Sequence, residues 1–385
     1  MAWGRSAKEL AFISRIWFNT WSLMGMHMGK KNIFGITQGG WQELLAPVWP
    51  EPREMRAARL VQLVAKLSQH ENLQHALQER QEIFGKKAWA IMEKELEFVC
   101  PVSIENTHQS DIDGSIKFVC GCQKGGKIEA VLIPERPPRL TLCISSQVGC
   151  AQGCRFCQTG RMGLLRSLEA SEMIGQFLVA EKLRQNTPRL AVYPKITNIV
   201  YMGMGEPLDN VEEVIKSASI FTHPKGFGLS PNRVTVSTVG VLPGLTQLLE
   251  RQPVAVAFSL HSPFEEERSR IIPANQRASL GTILNILREA PKPRSFFIQY
   301  TLIRGVNDEE RHAHKLAEIL TGINAKINLI PLNEHEGASY RRPTLDRVQR
   351  FQQILKNQGY VTTVRLSKGR DIQGACGQLI EQGTP

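Results

Sequence analysis

The chain has 385 residues, 42% of them hydrophobic, with 47 Lys plus Arg against 36 Asp plus Glu, a formal charge of +11 and a pI near 9.4. This length suffices for a large domain and an attached smaller one whose core needs no disulfide staples, and no apolar run is long enough to span a bilayer. The charge balance suits an anionic partner, of which nucleic acid is the usual one, although a merely soluble basic protein explains it equally well.

The opening stretch, MAWGRSAKELAFISRIWFNTWSLMGMHMGKK, is apolar and basic. Arg15 and Asn19 interrupt its apolar part and no small-residue cleavage site follows, which argues against a secretory signal. Residues 1–31 read as a poorly ordered or transit-like extension, or as an over-long start with Met26 or Met28 as initiator. Residues 32–100 form a helical accessory domain: MRAARLVQLVAKLSQ and HALQERQEIFGKKAWAIMEKEL space their apolar residues by three and four. Residues 101–138 follow as a β-hairpin, SIKFVCGCQKGGKIEAVLIP turning at Gly-Gly, and the linker ERPPR.

From 139 to 385 the pattern is strand, loop, helix, repeated. The expected strands are LTLCIS, ITNIVYM, RVTVSTV, VAVAFSL, FFIQYTL, INLIPL and VTTVRL. Helical stretches such as SEMIGQFLVAEKL, NVEEVIKSASIF, LGTILNILREA, DEERHAHKLAEIL and LDRVQRFQQILKNQ lie between them. This is an α/β chain with a parallel sheet and helices on its outside, and about six such units make a barrel or most of one. Barrels of this kind place their chemistry in the loops after the strands. The unusual residues lie there: a cysteine loop after the first strand, GMGEP after the second, SLHS after the fourth and PLN after the sixth.

The eight cysteines are unevenly clustered, which in a chain this long points to metal binding or catalysis in a reducing, cytoplasmic compartment. Cys120 and Cys122 alternate along one expected strand and read as small strand side chains. Cys150, Cys154 and Cys157 are different: C-x-x-x-C-x-x-C with no nearby histidine. Structural zinc takes four ligands, whereas three thiolates leave one iron of a cubane cluster open to a substrate. A three-ligand zinc site in a non-catalytic RNA-binding protein stays open as the alternative.

The pattern C-x-x-x-C-x-F-C resembles the radical S-adenosylmethionine superfamily. LCISSQVGC, YMGMGEPLDN, GFGLSPNRVTVSTVG, SLH, KINLIPLN and DIQGACGQL are similar to its adenine-methylating branch, the RlmN/Cfr family, in that family's order from about Lys127 to Leu379. The resemblance implies a partial (β/α)6 barrel, a 4Fe–4S cluster on Cys150, Cys154 and Cys157, and S-adenosylmethionine as both methyl donor and radical source. It implies that Gly205, Glu206, Ser237, Ser259, Leu260, His261 and Asn333 contact S-adenosylmethionine. Leu332 and Glu334 depart from the aromatic residue and proline that often flank Asn333 in the family.

A radical is needed because C2 and C8 of adenine are electrophilic carbons that an electrophilic methyl cannot attack. By the resemblance, Cys376 carries the methyl, Cys143 assists loss of the ring proton, and a Cys143–Cys376 disulfide forms and is reset by a cellular reductant. Glu129 matches the family's proton acceptor. The implied substrate is the peptidyl-transferase-centre adenosine of 23S rRNA, with the adenosine next to the tRNA anticodon as a second candidate. Methylation at C8, as in the antibiotic-resistance branch, is the alternative to C2. A flavodoxin- or ferredoxin-type electron donor, a monomer and no membrane complete the expectation. The basic run Arg341, Arg342, Arg347, Arg350, Lys356, Arg365, Lys368 and Arg370, opposed only by Asp346, suits phosphate tracking toward the Cys376 loop.

Overall fold

The computed structural model describes residues 30–70, 72–273, 278–291, 296–334 and 339–379. The expected extension over 1–31 therefore lies, except for its last two residues, outside the described residues. The N-terminal part holds four helices, α1 (Gln38–Leu44), α2 (Glu54–Leu67), α3 (Leu73–Gln78) and α4 (Lys86–Glu95). Short strands β1 (Lys31–Asn32) and β2 (Leu96–Glu97) pair in parallel beside them. The helical run expected from His75 onward is interrupted: Gly85 takes φ 94°, a left-handed conformation open to glycine, and splits α3 from α4.

A single ten-stranded sheet organises the rest. Strands β3 (Val102–Gln109), β4 (Ile116–Cys122) and β5 (Lys127–Pro134) are antiparallel and join β6 (Leu140–Ile144). The hairpin is thus an extension of the main sheet, and β3 is an element its polar sequence concealed. After β6 comes a two-stranded ribbon, β7 (Gln147–Cys150) and β8 (Gly163–Ser167), with the one-turn helix α5 (Gln158–Arg161) between them. Then follow α6 (Ala170–Gln185), β9 (Asn198–Tyr201), α7 (Val211–Thr222), β10 (Val234–Thr238), α8 (Gly244–Arg251) and β11 (Ala255–Ser259). The chain continues through α9 (Glu265–Ile271), α10 (Leu280–Glu289), β12 (Phe296–Leu302), α11 (Glu310–Ile319), β13 (Ala325–Pro331), α12 (Leu345–Asn357) and β14 (Val361–Val364).

Seven strands, in the order β6-β9-β10-β11-β12-β13-β14, run parallel. They match the seven expected strands. Every residue of LTLCI in β6 is buried, as a strand packed on both faces requires. The outer helices bury one stripe each; α10 buries Leu280, Ile283, Leu284 and Leu287, at i, i+3, i+4 and i+7. By contrast α6 buries 11 of its 16 residues, because it is packed on more than one side. Gln69 at the end of α2 donates to Leu178 O (3.2 Å), and a side chain at Gly35 would press on Ser171 N at 3.3 Å. One hydrophobic core accordingly runs from Ile33, Trp41 and Trp89 in the accessory helices to Leu355 and Leu379.

The sheet curls. A cavity of about 120 Å³ is lined by Ile133 from β5, Cys143 from β6 and Val200 from β9, and equally by Arg365 to Lys368 just after β14. Strands at opposite ends of the parallel run can share a cavity only in a partial barrel. The residues after β14 bridge the gap: Lys368 Nζ donates to Pro134 O, and Gly369 N donates to Asp113 Oδ2 (2.7 Å) in the β3–β4 turn.

Candidate active site

The cysteine loop leaves the barrel after β6 and is shaped by backbone. Gly149 has φ 78°, and a Cβ there would lie 1.9 Å from Gly163 O, so only glycine lets β7 meet β8. Cys150 and Cys154 are buried and Cys157 is half-buried; all three are free thiols. Burial pushes Cys150 up to about 12 and raises Cys154 and Cys157, each also feeling its neighbours' charge. Such thiols become thiolates by binding metal. Among the described residues, no three His, Cys, Asp or Glu side chains converge on a point as the ligands of a single ion do.

GMGEP packs directly against this loop. Gly205 has φ 98°, and a Cβ would stand 2.6 Å from Gln147 Cβ; Glu206 N donates to Gln147 Oε1 (2.9 Å). Glu206 is buried, and its two carboxylate oxygens accept Leu208 N and Val239 N, both at 3.0 Å. Glu206 therefore fastens the loop after β9 to the loop after β10. Burial lifts its carboxyl to about 7 despite those hydrogen bonds. Gln152, inside the cysteine loop, donates to Asp209 and ties that loop to the one after β9.

Ser237 and Ser259 face each other across β10 and β11 (Oγ···Oγ 3.4 Å). His261 sits at φ 58°, accepts Thr301 N on Nδ1 (3.0 Å) and packs edge-on against Phe156 of the cysteine loop, centroids 5.0 Å apart. Burial drops its imidazole to about 3, so it is neutral, with the hydrogen on Nε2. Leu260 is buried; its N donates to Gln299 O (3.0 Å). Asn333 is buried, and its Nδ2 donates to Ser367 Oγ (2.9 Å) and to Cys376 O (3.1 Å), joining the loop after β13 to the Cys376 loop.

Three amide oxygens at this rim, Gln152 Oε1, Gln299 Oε1 and Asn333 Oδ1, are buried with no hydrogen-bond partner among the described residues. Buried acceptors are costly unless satisfied. The amine and hydroxyl groups of S-adenosylmethionine are donors of the matching kind, and three free thiols on one loop fit a cluster with an open iron. Gln152 and Gln299 were not expected from the sequence, where an isolated glutamine carries no signal.

Cys376 and Cys143 line the one cavity, with Glu135, Arg365 and Lys368. Cys376 is exposed. Cys143 is buried, which pushes its thiol up to about 12, with Cys376 adding to the rise and Arg365 opposing it. Both are free thiols, so the disulfide expected between them is not a bond of this structure. The Cys376 loop is moored to the cysteine loop: Gln158 N donates to Gly377 O (2.9 Å) and Thr159 Oγ1 to Leu379 O (2.6 Å).

Glu129 is not among the residues lining that cavity, but its backbone N–H donates to Met204 Sδ of GMGEP (3.3 Å). It is buried on β5 in an ion pair with Lys117 (2.9 Å), its carbonyl accepting Ser145 Oγ (2.6 Å), and the acidic residue that lines the cavity is Glu135. The register pairs Val131 with Cys143, so Glu129 sits two residues before the partner of Cys143 on its strand. The basic run is not one-signed either: Arg347 reaches Asp308 (3.6 Å) and Arg350 reaches Glu310 (3.0 Å), acids of the α11 region that its own segment does not contain.

The Radical SAM superfamily model matches residues 144–317. The dual-specificity RNA methyltransferase RlmN of Syntrophobacter fumaroxidans is 41% identical over 73% of this chain and 80% of its own length. RlmN of Ruthia magnifica subsp. Calyptogena magnifica is 37% identical over 91% of this chain and 96% of its own. The crystal structure of a radical SAM methyltransferase from Sphaerobacter thermophilus superposes with a TM-score of 0.76 at 35% identity, covering 90% of this chain and 98% of that one.

Proposed function

Since the chain belongs to the RlmN family of radical S-adenosylmethionine RNA methyltransferases, we propose that it methylates C2 of the peptidyl-transferase-centre adenosine of 23S rRNA, and the adenosine beside the tRNA anticodon as its second substrate. Membership makes it an enzyme, which sets aside a zinc-bound module without catalysis. The observation that carries the division of labour is the shared cavity of Cys143 and Cys376 beside the cysteine loop.

Cys150, Cys154 and Cys157 would hold the 4Fe–4S cluster, which when bound would supply the electron that cleaves S-adenosylmethionine. Cys376, exposed on a loop hinged at glycines, accepts a methyl by displacement, for which a thiolate is well suited. It then presents that methyl, as a thioether, both to the deoxyadenosyl radical and to the base. Cys143, across the cavity, takes the ring proton once the new carbon–carbon bond has formed; its sulfur then bonds to that of Cys376 as the carbon–sulfur bond breaks, the odd electron leaves toward the cluster site, and a cellular reductant returns the disulfide to two thiols. Burial holds Cys143 as a thiol, and Arg365 opposes that rise in its pKa. Gly205, Glu206, Ser237, Ser259, Leu260, His261 and Asn333 position S-adenosylmethionine, and Glu129 supports the site through its ion pair with Lys117.

Arg365 and Arg370 meet phosphate, while the target base is unstacked into the cavity. The enzyme acts as a monomer and receives electrons from a flavodoxin- or ferredoxin-type protein. Among the described residues no helix is long and apolar enough to cross a membrane. Substrate rRNA carrying deuterium at adenine C2 or at C8 tests the regiochemistry: loss of the C2 label in the methylated nucleoside is expected. Loss of the C8 label instead would assign the chain to the other chemistry.

A further inference from the structure

Arg268 is buried within the fold, at 0% exposure, although it carries a guanidinium. Its Nε donates to Leu260 O (2.9 Å), and its Nη2 to Val239 O (2.7 Å) and Ser259 O (3.1 Å). The Phe258 ring lies under it, centroid 5.3 Å from Cζ. These carbonyls sit at the ends of β10 and β11, and two of them belong to residues placed against S-adenosylmethionine. Val239 is held through both its backbone groups: its N–H donates to Glu206 Oε2 and its carbonyl accepts from Arg268.

The helix that carries Arg268 also touches the cysteine loop. Arg155 N donates to Ile271 O (3.0 Å), and Cys154 packs against Ile271 and Ile272. Burial draws the Arg268 guanidinium down to about 10, against the charges of Glu265 and Glu206 and that of Cys154 once this thiol is ionised. A buried cation is tolerated only where its charge is answered. A cluster bound by three thiolates is a net anion, and its reduction adds one more negative charge.

We propose that Arg268 is a positioning residue with two duties: it is the fixed counter-charge of the cluster held by Cys150, Cys154 and Cys157, and its planar fork aims the Val239, Ser259 and Leu260 peptides that receive S-adenosylmethionine. The inference rests on the reading of those cysteines as cluster ligands. A guanidinium suits both duties, because it stays charged when buried and its rigid fork holds several acceptors at once. A lysine would keep the charge and lose the fork.

The test uses the reconstituted holoenzyme under anaerobic conditions, with iron and sulfide content, the midpoint potential of the cluster by spectroscopic titration, and S-adenosylmethionine affinity by calorimetry. Arg268→Gln is expected to shift the reduction equilibrium at least tenfold toward the oxidised cluster, about 59 mV for one electron. It should also weaken S-adenosylmethionine binding by about tenfold. Arg268→Lys should restore the reduction equilibrium to within about twofold of the unmodified enzyme's while its binding stays weak. If Arg268→Gln fails to fold, Arg268→Lys decides alone, by weak binding at an unchanged potential. Two variants with the unmodified enzyme's potential and affinity would reduce Arg268 to packing, and recovery of both properties by lysine would remove the fork's role. Failure of the unmodified protein to bind iron and sulfide would instead overturn the reading of the cysteine loop itself.

Discussion

The cysteine loop and the Cys376 loop present thiols at the same barrel rim, and they are built in opposite ways. In the first, Cys150 and Cys154 are buried, backbone turns fix the spacing, and burial keeps the thiols protonated until metal displaces the protons. In the second, one exposed thiol stands between glycines on a segment moored by a few hydrogen bonds. A ligand thiol is needed in one place and shielded from solvent. A carrier thiol must meet a methyl donor, a radical and a base in turn, so it requires access and some freedom of its loop. Cys143 falls between the two: buried like a ligand, yet facing the carrier.

The largest effect should come from the ligand side. Replacing Cys150, Cys154 and Cys157 together by Ala is expected to remove the cluster and abolish deoxyadenosine formation, while the protein remains folded, since these residues border the main core rather than fill it. Iron and sulfide analysis with circular dichroism reads both halves; full iron loading in the triple variant would break the assignment. On the carrier side the two thiols should separate. Cys376→Ala should form neither methylated protein nor RNA adduct. Cys143→Ala should still accept the methyl, join the base, and stall with RNA covalently attached. Denaturing gels of nuclease-treated protein should show the adduct for Cys143→Ala and lose it in the double variant. Normal turnover by Cys143→Ala would overturn its role.

The same contrast explains what the sequence made legible. The ligand loop is local: three cysteines within eight residues, with the spacing itself as the signal. The seven parallel strands are equally legible, as apolar runs between amphipathic stretches. Arg268 was not, because nothing local distinguishes it from the other charges of EEERSR, and only the packing of α9 puts it inside. The orphaned oxygens of Gln152 and Gln299 were hidden for the same reason. Strand β3 was missed because an edge strand exposed on both faces from Glu105 to Gln109 reads as polar loop. The basic run was over-read, since the acids that answer Arg347 and Arg350 come from another part of the chain.

That correction gives a sharper charge experiment than the sequence alone could. Arg365→Ala and Arg370→Ala should each weaken RNA binding and lower the slope of log affinity against log salt by about 0.7–0.9, the contribution of one phosphate contact. Arg347→Ala and Arg350→Ala should leave that slope nearly unchanged, because each already has a carboxylate partner. Equal slope changes in all four variants would mean that the whole run tracks phosphate and that the two ion pairs open on binding.

The smallest expected effect tests the mooring between the loops. Thr159 is buried, and its hydroxyl donates to Leu379 O at 2.6 Å, beside the Gln158 N–Gly377 O bond. Thr159→Val keeps the shape and removes the donor, leaving the carbonyl unsatisfied, at a cost of about 1 kcal/mol. Spent on local opening of the segment 376–379 rather than on global unfolding, that is roughly a fivefold increase in the open population. Cys376 is exposed in either state, so its alkylation reports nothing. Cys143 is buried in the cavity that this segment lines, so its alkylation rate, resolved from the other thiols by peptide mass spectrometry, should rise about fivefold while the melting temperature barely moves. An unchanged rate would mean that the Asn333 bond to Cys376 O and the tether at Asp113 hold the carrier loop without Thr159.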